Sequence, residues 1–232
     1  MPLTTTRHKQ DYNSLFNASG SPEEKELYKR ICQAYDDIQP YLSQLQQVTP
    51  IGQSDCSTPL TPSSIQANHW YKREDLTATK AYKVRGAFVA MQRAMNKGKT
   101  SFSGVSTGNH AMGLLRSAEI LRPNNITITV PKNVEETKLH KIQEKVAQLA
   151  EQVLNASLSI KGINFDAAQH LTKTKAQQNK HEHYIDPFSD LDVISGQGTI
   201  GLEIVKQLMT QVCGNRVRKL TVVAPVGGGG LL

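Results

Sequence analysis

The apolar residues of this chain change their spacing several times, and each change predicts an element. Leu27, Ile31, Tyr35 and Ile38 fall on one helical face. They follow Ser21-Pro22-Glu23-Glu24, which offers an N-cap, a proline at the first helical position and a glutamate three residues on. Pro40 disturbs the pattern. Residues 46–68 are rich in Ser, Thr, Pro and Gln and read mostly as loop. His69-Trp70-Tyr71 predicts a short strand, and residues 83–96 a helix with Val84, Ala87, Phe88 and Met91 on one face. Strands over 102–105, 126–130 and 153–158 then alternate with helices carrying Ala111, Leu114, Leu115, Ala118 and Leu121, and spanning 138–151 and 165–178. A helix over 198–209 aligns Ile200, Ile204, Val205 and Leu208, and residues 222–226 predict a last strand. This alternation predicts an α/β fold of parallel strands joined by crossover helices. Residues 1–20, polar and aperiodic, are expected to be a flexible arm.

Composition narrows the function classes. A chain of 232 residues makes one large α/β domain or two small ones. No apolar run approaches the ~20 residues of a membrane span, and the start, MPLTTTRHKQDYN, has no apolar run of a signal peptide. Cys32, Cys56 and Cys213 form no CxxC, which favours a reducing cytoplasm and argues against a disulfide scaffold or a zinc site; no metal is expected. The net charge of +7 raises a nucleic-acid partner, but the basic residues are scattered and only 6% of residues are aromatic. A solvated basic surface that attracts anionic small molecules is the reading preferred, with neither nucleic acid nor membrane as partner.

Three stretches carry candidate chemistry. Gly227 to Gly230 follow the apolar run 220–226. Glycine permits positive φ and removes side chains, so several N–H groups can converge on one anion, most plausibly a phosphate; the competing reading is a flexible tail. No Gly-Lys-Ser/Thr follows, and GxGxxG is absent, so the phosphate need not belong to a nucleotide. Ser106-Thr107-Gly108-Asn109-His110-Ala111 lies between a predicted strand and helix, where hydroxyls and exposed N–H groups suit a carboxylate or merely cap the helix. His110 alone reads more readily as a structural hydrogen-bonder than as a catalyst. Residues 72–87 gather cations before and at a predicted helix start, where the helix dipole disfavours them. A partly desolvated lysine there would be nucleophilic towards carbonyls, but spacing does not choose among Lys72, Lys80 and Lys83.

Taken together, these stretches resemble the fold-type II pyridoxal-phosphate enzymes, the tryptophan synthase β-like family. Lys72-Arg73-Glu74-Asp75-Leu76 followed by Tyr82-Lys83-Val84-Arg85-Gly86-Ala87 is similar to the family's lysine motif. Ser106-Thr107-Gly108-Asn109-His110 is similar to its asparagine loop, and Gly227 to Gly230 to its phosphate loop. Thr58-Pro59-Leu60, Val130-Pro131, Phe165-Asp166 with Ala168, and Asp192 to Thr199 fall in family order. The likeness leans to the threonine dehydratase branch, with serine racemase and serine dehydratase beside it.

The resemblance implies pyridoxal 5'-phosphate as cofactor. Lys83 would condense with its aldehyde and later move the substrate's α-proton. Tyr82 would lie against the pyridine ring, Asn109 would bond the 3-hydroxyl, and Gly227, Gly228, Gly229 and Gly230 would hold the phosphate. Ser106, Thr107, Gly108 and His110 would receive the amino acid's carboxylate. The implied reaction deaminates L-threonine or L-serine to a 2-oxo acid and ammonia. The alternatives are a non-catalytic relic acting by binding, a serine racemase, or a β-replacement enzyme; Thr107 stands where the racemase has a catalytic serine. Two open α/β domains with the cofactor in the cleft are implied: a larger one of residues 21–86 and 185–232, and a small mobile one of residues 87–184. A homo-oligomer, dimer or tetramer, is implied for the complete enzyme. Departures from the family pattern are Tyr82 for Phe, Ala81 for Ser, and Ala78-Thr79-Lys80 for Pro-Thr-Gly. Family chains continue well beyond the tetraglycine, so this chain is expected to be an N-terminal portion of a longer enzyme.

Overall fold

Helix α1 (Pro22–Ile38) starts where the sequence pattern places it. Glu24 N–H donates to Ser21 Oγ (3.2 Å) and Ser21 N–H to Glu24 Oε2 (2.6 Å), so two helix-end donors are satisfied reciprocally. Pro40 ends the helix in a 3₁₀ turn, Gln39–Tyr41, followed by the short α2 (Leu42–Leu45). The computed structural model describes residues 20–45, 57–152, 155–211 and 220–231. The predicted arm therefore lies outside the described residues, apart from Gly20, as do Val153, Leu154, Cys56 and Cys213.

An antiparallel pair follows, β1 (Leu60–Pro62) with β2 (Trp70–Lys72). Strand β1 arises inside the stretch read as loop; three residues are too short to show a period. The remaining elements are α3 (Lys83–Asn96), β3 (Ser101–Val105), α4 (Asn109–Leu121), β4 (Asn125–Val130), α5 (Glu136–Glu151), β5 (Asn155–Ile160), α6 (Phe165–Gln177), β6 (Glu182–Tyr184) and α7 (Leu191–Gln211). Strands β3 to β6 form one parallel sheet in the order β5-β4-β3-β6. The fold is thus α/β, as the alternation predicts.

One face of the sheet makes the main core. Phe102, Ile126, Ile128 and Val130 meet Ala87, Met91, Leu114, Leu115, Ile142 and Leu149 from α3, α4 and α5. A second cluster joins Ala34, Ile38, Leu42 and Leu45 to Val84, Phe88 and Val89 on another face of α3. The inferred domain boundary between residues 86 and 87 therefore falls inside one continuous helix that serves both clusters.

Residues 222–226, predicted as a strand, are not one. They pair with no described strand, and Val223 is 92% exposed. A strand exists only through ladder hydrogen bonds to a neighbour, which an apolar sequence cannot supply by itself.

Candidate functional site

The order of the strands sets a crevice before any side chain is considered. The chain lays β3, β4 and β5 outward to one side, then returns to place β6 on the other side of β3. The strand order reverses between β3 and β6, and the loops leaving their carboxyl ends flank this switch point, the position where open α/β sheets hold ligands. The first loop is Ser106-Thr107-Gly108 entering α4, and the second is residues 185–190 entering α7.

The β3 loop ends in uncapped donors. Ser106 is buried at the strand end, its N–H donating to Thr129 O (3.1 Å) and its Oγ accepting from Gly108 N–H (3.1 Å). Gly108 is the N-cap of α4 and brings no side chain, so no side-chain cap takes up the first-turn N–H groups. Thr107 is half-buried and Asn109 exposed at this opening. His110 is different. Its ring is only 2% exposed and lies 3.3 Å from Ile185 O through Nε2. Burial pushes its pKa down to about 4, so the ring is neutral with the proton on Nε2. What His110 presents to a ligand at the helix start is a backbone N–H, while its imidazole ties the β3 loop to the β6 loop.

The three candidate lysines differ in what surrounds each amine. Lys72 Nζ is fixed by Glu203 Oε2 (2.6 Å), Gln207 Oε1 (3.0 Å) and the Thr58 carbonyl. Lys80 is exposed and sits at φ 55°, the left-handed region where the family has glycine. Lys83, the first residue of α3, is half-buried and has no carboxylate partner among the described residues. Its Nζ lies 4.9 Å from the Phe188 ring centroid and 5.4 Å from that of Tyr82. Burial lowers its pKa, increasing the neutral, nucleophilic fraction.

Three glycines and one threonine position that amine. A Cβ on Gly113 of α4 would lie 3.1 Å from the Lys83 carbonyl oxygen, so α4 passes directly against the start of α3. Gly86 and Gly196 bring α3 and α7 into backbone contact; a Cβ on Gly86 would lie 2.5 Å from Val193 O, and one on Gly196 2.6 Å from Gly86 Cα. The buried Thr77 hydroxyl accepts from Ala81 N–H (2.9 Å) and closes the turn leading to Lys83.

Behind Lys83, Arg85 is fully buried between two carboxylates. Its Nε and Nη2 donate to Glu74 (2.9 Å each), and Nη1 and Nη2 to Glu203 (2.7 and 2.9 Å). Burial works against its charge, but Glu203 and Glu74 outweigh burial and hold its pKa above the ordinary value. Burial likewise opposes the Glu203 charge, yet Arg85 and Lys72 hold its pKa down.

The glycine run reaches the same place through Phe188. A Cβ on Gly228 would lie 2.2 Å from the Phe188 ring, and one on Gly230 3.2 Å from Pro187 O. Gly229 has φ 83°. The ring that Lys83 Nζ overlies is therefore also the ring that the glycine backbone abuts. Gly227 to Gly229 are exposed and Gly230 is buried.

Sequence reasoning missed Phe188 and the loop that carries it. Asp186 Oδ1 accepts from Phe188 N–H and Ser189 N–H (2.9 Å each), fixing the turn. The signal was present: Asp186-Pro187 announces a turn, and it follows a strand of the sheet. That strand, three residues of mixed polarity, gave no period to read.

Known proteins are similar to this chain in sequence and in fold. A model of the family described as pyridoxal-phosphate dependent enzyme matches residues 43–232. The mitochondrial threonine dehydratase of Schizosaccharomyces pombe is 36% identical over 182 residues, 75% of this chain and 27% of that protein. An L-threonine ammonia-lyase of Geobacter sulfurreducens is 32% identical over 167 residues, 70% of this chain and 36% of that protein. Among solved structures, the threonine deaminase of T.th. superposes with a TM-score of 0.63 at 25% identity, covering 88% of this chain and 57% of that one. Serine racemase from Dictyostelium discoideum gives 0.65 at 26% identity, covering 88% and 58%. The chain thus spans 27% and 36% of the two curated relatives. With its parallel sheet and a family match over most of its length, the chain belongs to the pyridoxal-phosphate dependent enzymes.

Proposed function

We propose that the enzyme to which this chain belongs is a lyase that deaminates L-threonine, and L-serine, to a 2-oxo acid and ammonia. The observation that carries the reading is the unpaired, half-buried Lys83 amine sharing the Phe188 ring with Gly228. The residues present fit pyridoxal 5'-phosphate. An amine without a carboxylate partner suits its aldehyde, glycine amides suit its phosphate, and uncapped N–H groups beside them suit a carboxylate.

When bound, the cofactor supplies an electron sink for the substrate's α-carbon. The chain's own residues do the rest. Lys83 would hold the cofactor through Nζ, and the same nitrogen, its basicity lowered by burial, would serve as the base for the substrate's α-proton. Tyr82 would lie against the ring, Asn109 would donate to the 3-hydroxyl, and Gly227 to Gly230 would hold the phosphate. Ser106, Thr107, Gly108 and the His110 N–H receive the substrate carboxylate, fixing which bond at the α-carbon breaks. Residues 87–184 act as a small mobile domain that closes on the larger one and excludes water. We further propose a cytoplasmic homo-oligomer; no helix among the described residues is long and apolar enough to cross a membrane.

The purified protein mixed with the cofactor should gain a near-visible absorbance band that borohydride bleaches and Lys83→Ala abolishes, and should release 2-oxobutanoate from threonine. A folded protein that gains no such band refutes the reading. A second reading, binding without turnover, is favoured by the exposed and unpaired Val222, Val223 and Val226. A bleachable band with no product from any β-hydroxy amino acid would select it.

A further inference from the structure

The parallel sheet has an unusual second face. Strands of parallel sheets are normally apolar on both faces, because helices cover both. Here Ser101 and Ser103, Asn125, Thr127 and Thr129, and Asn155, Ser157 and Ser159 alternate with the core residues. In register they form hydroxyl and amide rows, Ser103 beside Thr127 beside Ser157. Glu182 of β6 continues the first row beside Ser101. Helix α6 crosses this face, burying only the small residues Ala168, Thr172 and Ala176.

Small residues on one side and short polar ones on the other leave space. A cavity of about 150 Å³ lies between the sheet and α6, and a more open one of about 500 Å³ adjoins it; Thr127, Ser157, Lys175 and Glu182 line both. Some of the polar groups satisfy each other, as Thr127 Oγ1 and Ser157 Oγ do at 3.0 Å. Ser103 Oγ does not: it is 1% exposed, lines the smaller cavity and has no hydrogen-bond partner among the described residues. A buried hydroxyl left in that state costs about 1–3 kcal/mol unless something in the cavity bonds it. Lys161, Lys175 and Glu182 line the same space, yet no ion pair joins any of them to another described residue. Leu171, 48% exposed, adds an apolar wall.

Two cations, Lys161 and Lys175, and the Glu182 anion, unpaired around a hydroxyl-lined cavity with one apolar side, complement a ligand carrying both charges. We propose that this cavity is a second binding site, separate from Lys83, for a small zwitterion of the α-amino-acid class. Lys175 Nζ takes its carboxylate, Glu182 its ammonium, Ser103 and Thr127 hydrogen-bond it, and Leu171 packs against its side chain. The site does not depend on the lyase reading, because none of these residues belongs to the Lys83 crevice.

Calorimetric titration of the cofactor-free chain tests this, with L-alanine as probe and propionate, propylamine and inorganic phosphate as single-charge controls. L-alanine should bind saturably, and each control at least about tenfold more weakly. Lys175→Ala and Glu182→Gln, both away from the core, should each weaken L-alanine binding about tenfold, while Lys83→Ala leaves it unchanged. In the unsubstituted chain, L-alanine should slow hydrogen exchange in residues 165–177 and 182–184, a readout that needs no variant to fold. Absence of saturable binding overturns the proposal, since the cavity then holds only water. Equal binding of propionate or phosphate overturns it too, as does loss of binding in Lys83→Ala alone.

Discussion

Replacing Glu203 with glutamine should destabilise the protein far more than its small change in shape suggests. The substitution is nearly isosteric at a side chain with 0% exposure, so it opens no cavity and tests charge alone. Glu203 meets Lys72 Nζ at 2.6 Å and Arg85 Nη1 at 2.7 Å. With an effective dielectric near 20 and charge centres ~4 Å apart, each attraction is about 4 kcal/mol, roughly 8 together. Glutamine no longer needs its charge desolvated, which offsets several kcal/mol of that loss, leaving a net destabilisation of about 3–5 kcal/mol. Lys72→Met should then act in reverse. Alone it leaves Glu203 short of a cation, but in Glu203→Gln it restores neutrality around the Arg85–Glu74 pair. The double variant should therefore be more stable than Glu203→Gln alone, with a coupling energy of about 2 kcal/mol. Urea unfolding can follow this by the fluorescence of Trp70, the sole tryptophan, two residues from Lys72. A loss below about 1 kcal/mol for Glu203→Gln, or strict additivity, would show that the network is solvated and the reasoning wrong.

Other outcomes follow from single residues. His110 has its pKa lowered to about 4, so between roughly pH 6.5 and 4 the unfolded chain binds the extra proton and stability falls as pH falls. The loss should reach about 3 kcal/mol at the lower end and be missing from His110→Phe, so that it appears as the difference between the two proteins' denaturant midpoints from pH 7 to 4. Lys80 at φ 55° should be relieved by Lys80→Gly, raising stability by about 0.5 kcal/mol after glycine's entropy is subtracted. Lys80→Ala should give no such gain, which thermal melts will separate. Gly86→Ala drives a methyl to 2.5 Å from Val193 O and should cost about 1–3 kcal/mol in the same melts, with slower borohydride trapping of cofactor at Lys83 as α3 shifts.

How much of this was legible depended on length and on partners. Helix α3 was readable to the residue, because fourteen positions with apolar residues at helical spacing leave little ambiguity, although its apolar residues serve two clusters rather than one face. The capping box of α1 was readable because it is local chemistry. Strands β1 and β6 were not, since three residues show no period. The run 220–226 misled for the opposite reason: its composition suits a strand, but pairing is a property of a neighbour. Arg85 escaped notice because its two carboxylates stand 11 and 118 positions away in the chain.

The same distinction explains why spacing could not choose the lysine. Lys72, Lys80 and Lys83 are equivalent as letters in a basic stretch, and their difference lies in what surrounds each amine. Lys72 is neutralised by a carboxylate 131 positions away, and Lys80 is held out in solvent by a left-handed turn. Lys83 is left with two aromatic rings and no counter-charge among the described residues. A lysine desolvated without a partner is unfavourable for folding, so its charge penalty persists below its lowered pKa and is relieved only as pH rises towards the unfolded value near 10.4. A fold selected for stability alone would place a carboxylate there, as it does for Lys72. That the carboxylates of this region are gathered on Arg85 and Lys72 instead is the physical reason Lys83 remains available for chemistry. Placing an acid beside it, as in Phe188→Glu, should stabilise the fold at neutral pH while abolishing the borohydride-trapped adduct. If that variant still traps cofactor at the original rate, the absence of a partner is not what makes this amine reactive.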